Sequence, residues 1–426
     1  MNPTAPEPLP GEQRTALARR PALGFIFVTL FLDILGVGLI IPILPKLIVQ
    51  LSAGSVPAAA NTFGWLAGLY SLMQFVCAPF LGGLSDRFGR RPVILGSLLG
   101  SGLDYLLLAF APSLPWFFLG RIVAGVTGAN ITAASAYIAD VSPPEKRAAN
   151  FGLLGAAFGL GFSAGPALGG LLGNLGLRIP FLAAAGLTLL NWLYGMFVLP
   201  ESLPRDQRRA FDWTRANPVG SLVALKRYPI VLGLTATYFL FNLAHQVFPS
   251  TWVLYTDHRY HWTSGQVGAS LAVVGLMAAV VQGGLARWIV PALGERRAIV
   301  VGLINGTVFM AAYGLATQRW MIYALLVVGS FGSIANPALQ GLVSRQVPLN
   351  EQGAVQGALN SLASLAGILG PLVATRLFGF FISPGAPAYL PGAAFFAGSL
   401  MIFASLLMAL RSFQRTPMAA AGAAHS

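Results

Sequence analysis

The chain has 426 residues, 56% of them hydrophobic and only 9% charged, where a soluble domain carries roughly 25% charged residues. That composition excludes a soluble α/β enzyme and implies a polytopic membrane protein. The net charge of +13 gathers at the ends of apolar runs and not on one basic face, which excludes nucleic acid as a partner.

The first 22 residues are polar and basic (Arg14, Arg19, Arg20) and read as a tail, 1–22. A cleaved signal peptide would show a short apolar core and a small-residue cleavage site. Here the first apolar run is long, contains Asp33 and continues to Pro45, so it is predicted to be a retained helix over 23–50. Further runs of about 20 residues, each long enough to cross a bilayer, predict helices over 63–84, 92–112, 116–139, 149–173 and 180–199. These complete a first six-helix bundle, 23–199. The longest polar stretch, 200–229, reads as a solvated linker. A second bundle, 230–411, follows with helices over 230–255, 265–290, 298–317, 320–343, 353–381 and 391–411, then a tail, 412–426. The expected fold class is therefore all-α, with twelve transmembrane helices. Twelve spans put both termini on one side. About 20 of the 26 Lys and Arg lie at the tails and the loops on that side, which marks it as cytoplasmic.

The halves repeat one another. At a constant offset of 205, Gly152, Gly165 and Pro166 fall on Gly357, Gly370 and Pro371, Pro143 falls on Pro348, and Gly89 and Arg91 fall on Gly294 and Arg296. Two pseudo-symmetric bundles rocking about a midplane site have this kind of internal symmetry. Charge breaks the symmetry: Asp86 falls on Pro291 and Asp140 on Arg345.

Of thirteen acidic residues, two lie in mid-span, Asp33 and Asp104. Asp33 sits roughly 15 Å into its helix, near the midplane. A carboxylate there is costly unless protonated, paired or hydrated, which suits a group that takes up and releases a proton; alternatively it caps backbone at a kink formed by Gly36, Gly38, Pro42 and Pro45. Arg121 lies at a depth where it meets either Asp104 or Asp33. A guanidinium does not release its proton, so it acts on a neighbouring carboxylate or forms a structural ion pair. Cys77, the single cysteine, reads as a packing residue, with no disulfide within the chain or cysteine metal cluster possible. Asp86, Arg90 and Asp140 gather at cytoplasmic helix ends, where a carboxylate can face the N-terminus of a helix of the other half near Gly353. The segment 152–170 holds seven glycines and ends in Gly165-Pro166 and Gly169-Gly170, a surface smooth enough to pack closely and seal a cavity. No strand precedes Gly159-Leu160-Gly161, so it is not a nucleotide fingerprint. In the second half, Asn242, His245 and Gln246, with Gln282, Asn305 and Gln340, offer either a polar pocket for a drug-sized ligand or hydrogen bonds between helices. No hydrolytic constellation, nucleotide loop or metal site appears, so neither an enzyme nor a cofactor is expected.

The loop GGLSDRFGRR (82–91) closely resembles the signature between the second and third helices of the major facilitator superfamily. LDILGVGLIIPILP (32–45), LYSLMQFVCAPFLGGLSDRFGRRPV (69–93), LDYLLLAF (103–110), LGRIVAGVTGA (119–129), the GPALGG helix, WVLYTDHRYHW (252–262) and NPALQGLVS (336–344) resemble the bacterial tetracycline-resistance efflux pumps. The resemblance spans nearly all of 23–411 and is stronger in the first half. It implies a monomeric drug–proton antiporter of the bacterial inner membrane. Asp33, Asp104 and Arg121 would then serve proton coupling, and Asp86, Gly89, Arg90 and Asp140 the gate. Gly165, Pro166, Gly169 and Gly170 would form the antiporter helix, and Tyr70 and Gln74 substrate contacts. Where those pumps carry an acid in the ninth helix and a histidine in the eighth, this chain has Asn305 and about Ala278. A metal-chelated tetracycline thereby loses an acidic partner, and another amphipathic compound becomes a candidate. The alternatives are a facilitator or symporter of a small neutral metabolite and, more remotely, a receptor without transport.

Overall fold

The computed structural model describes residues 10–128, 130–208, 229–346 and 352–415. Residues 209–228 of the linker, Pro348, the surroundings of Gly353 and the two chain ends lie outside the described residues. Among those described, twelve helical rods follow one another and no strand occurs. The first half comprises α1 (Pro10–Ile40, resumed at Leu44–Leu51), α2 (Val56–Phe88), α3 (Arg90–Phe110), α4 (Leu114–Thr127, resumed at Asn130–Val141), α5 (Arg147–Leu175) and α6 (Ile179–Val198). The second comprises α7 (Pro229–His245, resumed at Val247–Tyr260), α8 (Ser264–Ala278, a π-helical stretch Ala279–Leu285, then Ala286–Leu293), α9 (Glu295–Leu315), α10 (Arg319–Gly329, a 3₁₀ turn Ser330–Ile334, then Ala335–Arg345), α11 (Gln352–Phe381) and α12 (Ala393–Arg415). Eleven rods are long and apolar enough to cross a membrane. The twelfth, α7, is divided into pieces of 17 and 14 residues, the second carrying Asp257, His258 and Arg259.

Several rods outrun their apolar runs because caps and helix propensity, not apolarity, end a helix. Ser55 Oγ accepts from Ala58 N and starts α2 seven residues before its apolar run. Thr263 and Gln266 form a reciprocal capping box at α8. The polar segment from Pro10 extends α1 instead of forming an irregular tail, as its Glu, Gln, Arg, Ala and Leu favour a helix.

The breaks in the rods repeat between halves. α1 breaks at 41–43 and α7 at Gln246; α4 breaks after Gly128 and α10 at 330–334. At the repeat offset of 205, residue 41 meets 246 and 128 meets 333. Proline supplies the cause in three of the four: Pro42, Pro249 and Pro337 each remove a donor and crowd the carbonyl four residues earlier. The turns between α2 and α3 and between α8 and α9 are also equivalent. Gly89 (φ 106°) and Gly294 (φ 77°) each adopt positive φ, which favours glycine. Two residues on, Arg91 donates to Met196 O at the end of α6, and Arg296 to Phe413 O at the end of α12.

The halves meet along two seams, α2 against α11 and α5 against α8, which are equivalent under the repeat. Both are tight near the face opposite the basic loops. There Lys46 of α1 pairs with Asp257 of α7 (2.8 Å) and donates to Trp262 O (2.6 Å). Gly265 N of α8 donates to Asn174 Oδ1 of α5 (3.1 Å). Toward the basic face α5 and α8 part: a side chain at Gly152, Gly155 or Gly284 would have nothing within 4 Å. The molecule is thus closed on the face opposite the basic loops and splayed toward the basic one.

Candidate functional site: a cavity between the halves

All four broken rods border one cavity of about 680 Å³, large enough for a drug-sized ligand. Its first-half wall carries the charge: Asp33 from α1, Asp104 from α3 and Arg121 from α4. All three are buried. The guanidinium of Arg121 lies 3.6 Å from Asp104 Oδ2, and neither carboxylate oxygen of Asp104 has a hydrogen-bond partner within the protein. They form an ion contact without a directed hydrogen bond. Arg121 also stands over the ring of Tyr70, 5.7 Å from its centroid, at cation–π range. Gln74 Nε2 donates to Tyr70 Oη (2.8 Å); Gln74 therefore backs the wall through Tyr70, which itself lines the cavity. Tyr105, next to Asp104, also lines the cavity and packs over Gly36, one turn beyond Asp33.

Among the described residues, the second-half wall has no Asp, Glu, Lys or Arg. Asn242, His245, Gln246 and Gln282 all reach it. Asn242 Nδ2 bonds back to Tyr238 O (2.8 Å). The His245 ring packs on Phe241 (4.5 Å between centroids) and faces the cavity. Gln246 leans on Gly370 of α11. Gln282 lies in the π-helical stretch, a distortion often found at functional sites. Asn305 sits off the cavity and donates to Val328 O (3.2 Å), tying α9 to α10. Gln340 joins Tyr238 and Asn336. Ala278 lines the cavity just before the π-helical stretch.

The charges at the basic face form a separate cluster. Arg90 is buried. Its side chain donates to Asp86 Oδ1 (2.5 Å), Asp140 Oδ2 (3.1 Å) and Ser85 Oγ (2.7 Å). Glu201, at the start of the linker, accepts from Arg90 N (2.9 Å), Ser202 N (3.0 Å) and Leu203 N (3.1 Å), capping the N-terminus of α3. A side chain at Gly89 would collide with that carboxylate. All these partners belong to the first half or to the start of the linker.

On α5, glycines bring backbones into contact. A Cβ at Gly165 would lie 2.7 Å from Gly38 Cα of α1. One at Gly169 would collide with Leu39 O, and one at Gly170 with Ser264 O of α8. With Pro166, against whose carbonyl Gly268 packs, they hold α5 between α1 and α8 on the closed side of the cavity.

A model of the Major Facilitator Superfamily matches residues 26–371. The chain belongs to the major facilitator superfamily, in its tetracycline-resistance branch. It is 43% identical to the class C tetracycline resistance protein of Escherichia coli over 84% of this chain and 89% of that one. The class B protein of the same organism is 41% identical over 81% of this chain and 86% of its own. Among solved structures, the human organic anion transporter MFSD10 (TETRAN) superposes with a TM-score of 0.68 at 27% identity, covering 92% of this chain and 99% of that one.

Within this superfamily member, several side chains at the cavity, at the basic-face cluster and between the halves escaped sequence reading. Tyr105 was visible only as the neighbour of Asp104, and tyrosine is unremarked in an apolar run. Glu201 lay in a polar stretch that reads as linker. The Lys46–Asp257 contact joins residues 211 apart, with no local signal on either.

Proposed function

We propose that this protein is a proton-coupled antiporter that exports tetracycline-like or other amphipathic drugs by alternating access, in the inner membrane of a bacterium. The observation that carries the proposal is a cavity between apolar, membrane-length helices with two carboxylates and a guanidinium on one wall and, among the described residues, none on the other, in a chain about 40% identical to tetracycline resistance proteins. Asp33 and Asp104 take up and release the proton. Arg121, held beside Asp104 and over Tyr70, favours the ionised carboxylate when the site is wet. The loose, under-bonded contact of Asp104 with Arg121 supports such an exchange, because a fully satisfied buried pair would resist protonation. Drug binds from the basic face against Tyr70, backed by Gln74, and against Asn242, His245, Gln246 and Gln282. Asn305 acts by holding α9 to α10.

The basic face is cytoplasmic under the positive-inside rule, so both termini are cytoplasmic and the described state is open inward. Residues 23–199 and 230–411 move as two bundles joined by the linker 200–229, within a monomer. Asp86, Gly89, Arg90 and Asp140 form the cytoplasmic gate. With that side open their bonds stay within the first half and the start of the linker; on closure the carboxylates turn toward the helix of the other half that begins near Gly353. Gly165, Pro166, Gly169 and Gly170 seal the outer side against leak. A metal-chelated drug would enter as substrate, with Asp33 and Asp104 as its acidic contacts.

A susceptibility and uptake panel in a pump-deficient host tests the proposal, comparing tetracyclines with unrelated amphipaths, with and without an uncoupler. Expression should lower drug accumulation, and the uncoupler should restore it. Accumulation of drug that ignores the uncoupler would contradict proton coupling and point to facilitation of a neutral solute.

A further inference from the structure

The second-half wall of the cavity holds a preformed aromatic step. Phe248 and Trp252, one turn apart on α7, stack with centroids 4.2 Å apart and planes at 24°. Tyr313 of α9 stands edge-on to Trp252 (5.7 Å, 80°) and closes on Phe248 (5.9 Å). All three line the cavity. The lower members are fixed: Trp252 Nε1 donates to Ser270 Oγ (2.9 Å), and Tyr313 Oη to Leu325 O (3.1 Å). Trp252 is fully buried, Tyr313 nearly so, and Phe248 only in part. The Phe248 ring is thus the member that keeps surface for a ligand, on a rigid base whose polar groups are already occupied. Asp33, Asp104 and Arg121 stand on the other half's wall, so the charged side chains lining the cavity face this step from across it.

We propose that Phe248, backed by Trp252 and Tyr313, determines specificity by seating a planar aromatic ring system of the transported amphiphile, whose polar end faces the carboxylates of the first half. A stacked ring gains over a saturated one through the quadrupole of the π-face, not through area alone. The step stands edge-on and stacked, so it can accept a further flat ring with little reorganisation. Because the seat lies in the cavity assigned to drug efflux, it rests on that assignment and adds the chemical class and orientation of the substrate.

The test uses the purified full-length protein and two probes, naphthylethylamine and its decahydronaphthyl counterpart, which share the amine, the linker and the carbon count. Calorimetric binding to wild type should favour the aromatic probe by about three- to tenfold. Phe248→Leu should erase that preference while leaving the saturated probe within about twofold, and Phe248→Tyr should keep it. Thermal unfolding verifies each variant's fold, and Phe248→Met replaces Phe248→Leu where yield falls. No preference in wild type, no binding of either probe, an unchanged preference in Phe248→Leu, or equal loss of both probes would each overturn the seat. Tetracycline efflux from cells is measured in parallel. Efflux without a ring preference removes the seat and leaves the transporter assignment, and a ring preference without efflux does the reverse.

Discussion

Asp33 and Asp104 are the residues on which the proposed exchange turns, and each was legible as an acid in an otherwise apolar run. Burial of both, and the meeting of Asp104 with Arg121, follow from the fold. The sequence left two partners open for Arg121; its contact with Asp104 emerges only from the packing of α3 against α4. Asp33→Asn is expected to insert and fold like wild type yet lose drug accumulation against a gradient, measured as uptake by everted vesicles after acidification of the lumen. Asp104→Asn would leave the buried guanidinium without its partner, and removing one member of a buried pair costs about 3–5 kcal/mol. We expect a lower thermal midpoint for Asp104→Asn, largely recovered in Asp104→Asn/Arg121→Gln, in which neither member of the pair is left behind. Equal destabilisation in single and double variants would show that the pair carries no such coupling.

The existence and order of the rods were legible from apolar runs, but of their breaks only the kink of α1, at Gly36, Gly38, Pro42 and Pro45, was. Pro249 and Pro337 carried the signal, yet an apolar run reads straight through a single proline. The consequence at this scale is that all four broken rods border the cavity, beside unbroken ones such as α3 and α9, and that α5 is held against α1 and α8 by backbone contact. Gly165→Leu has no room beside Gly38, so it should prop the seam apart; the expected readout is normal membrane insertion with drug efflux reduced at least about tenfold, since such interfaces admit only small residues. Across the same face, Lys46 bonds both Asp257 and Trp262. Lys46→Met is expected to raise labelling of a cavity cysteine from that face by up to about fivefold, the worth of a half-exposed ion pair. Unchanged labelling would mean that the glycine seams alone hold that face shut.

For the whole molecule, the repeat read at an offset of 205 reappears as equivalent turns at Gly89 and Gly294, equivalent breaks and equivalent seams. Charge is what the halves do not share. Along the cavity one half offers carboxylates, a guanidinium, Tyr70 and Tyr105, and the other offers amides, His245 and further rings, so in the proposed exchange proton and drug would compete through one cavity. The most direct measurement is drug-dependent proton movement in proteoliposomes with an internal pH dye, comparing wild type with Asp33→Asn. Adding tetracycline, or another drug found to be exported, should drive protons in the direction opposite to drug in wild type and give no drug-dependent signal in Asp33→Asn. Proton movement of equal size in both, or drug movement in wild type with none at all, would contradict exchange through that carboxylate.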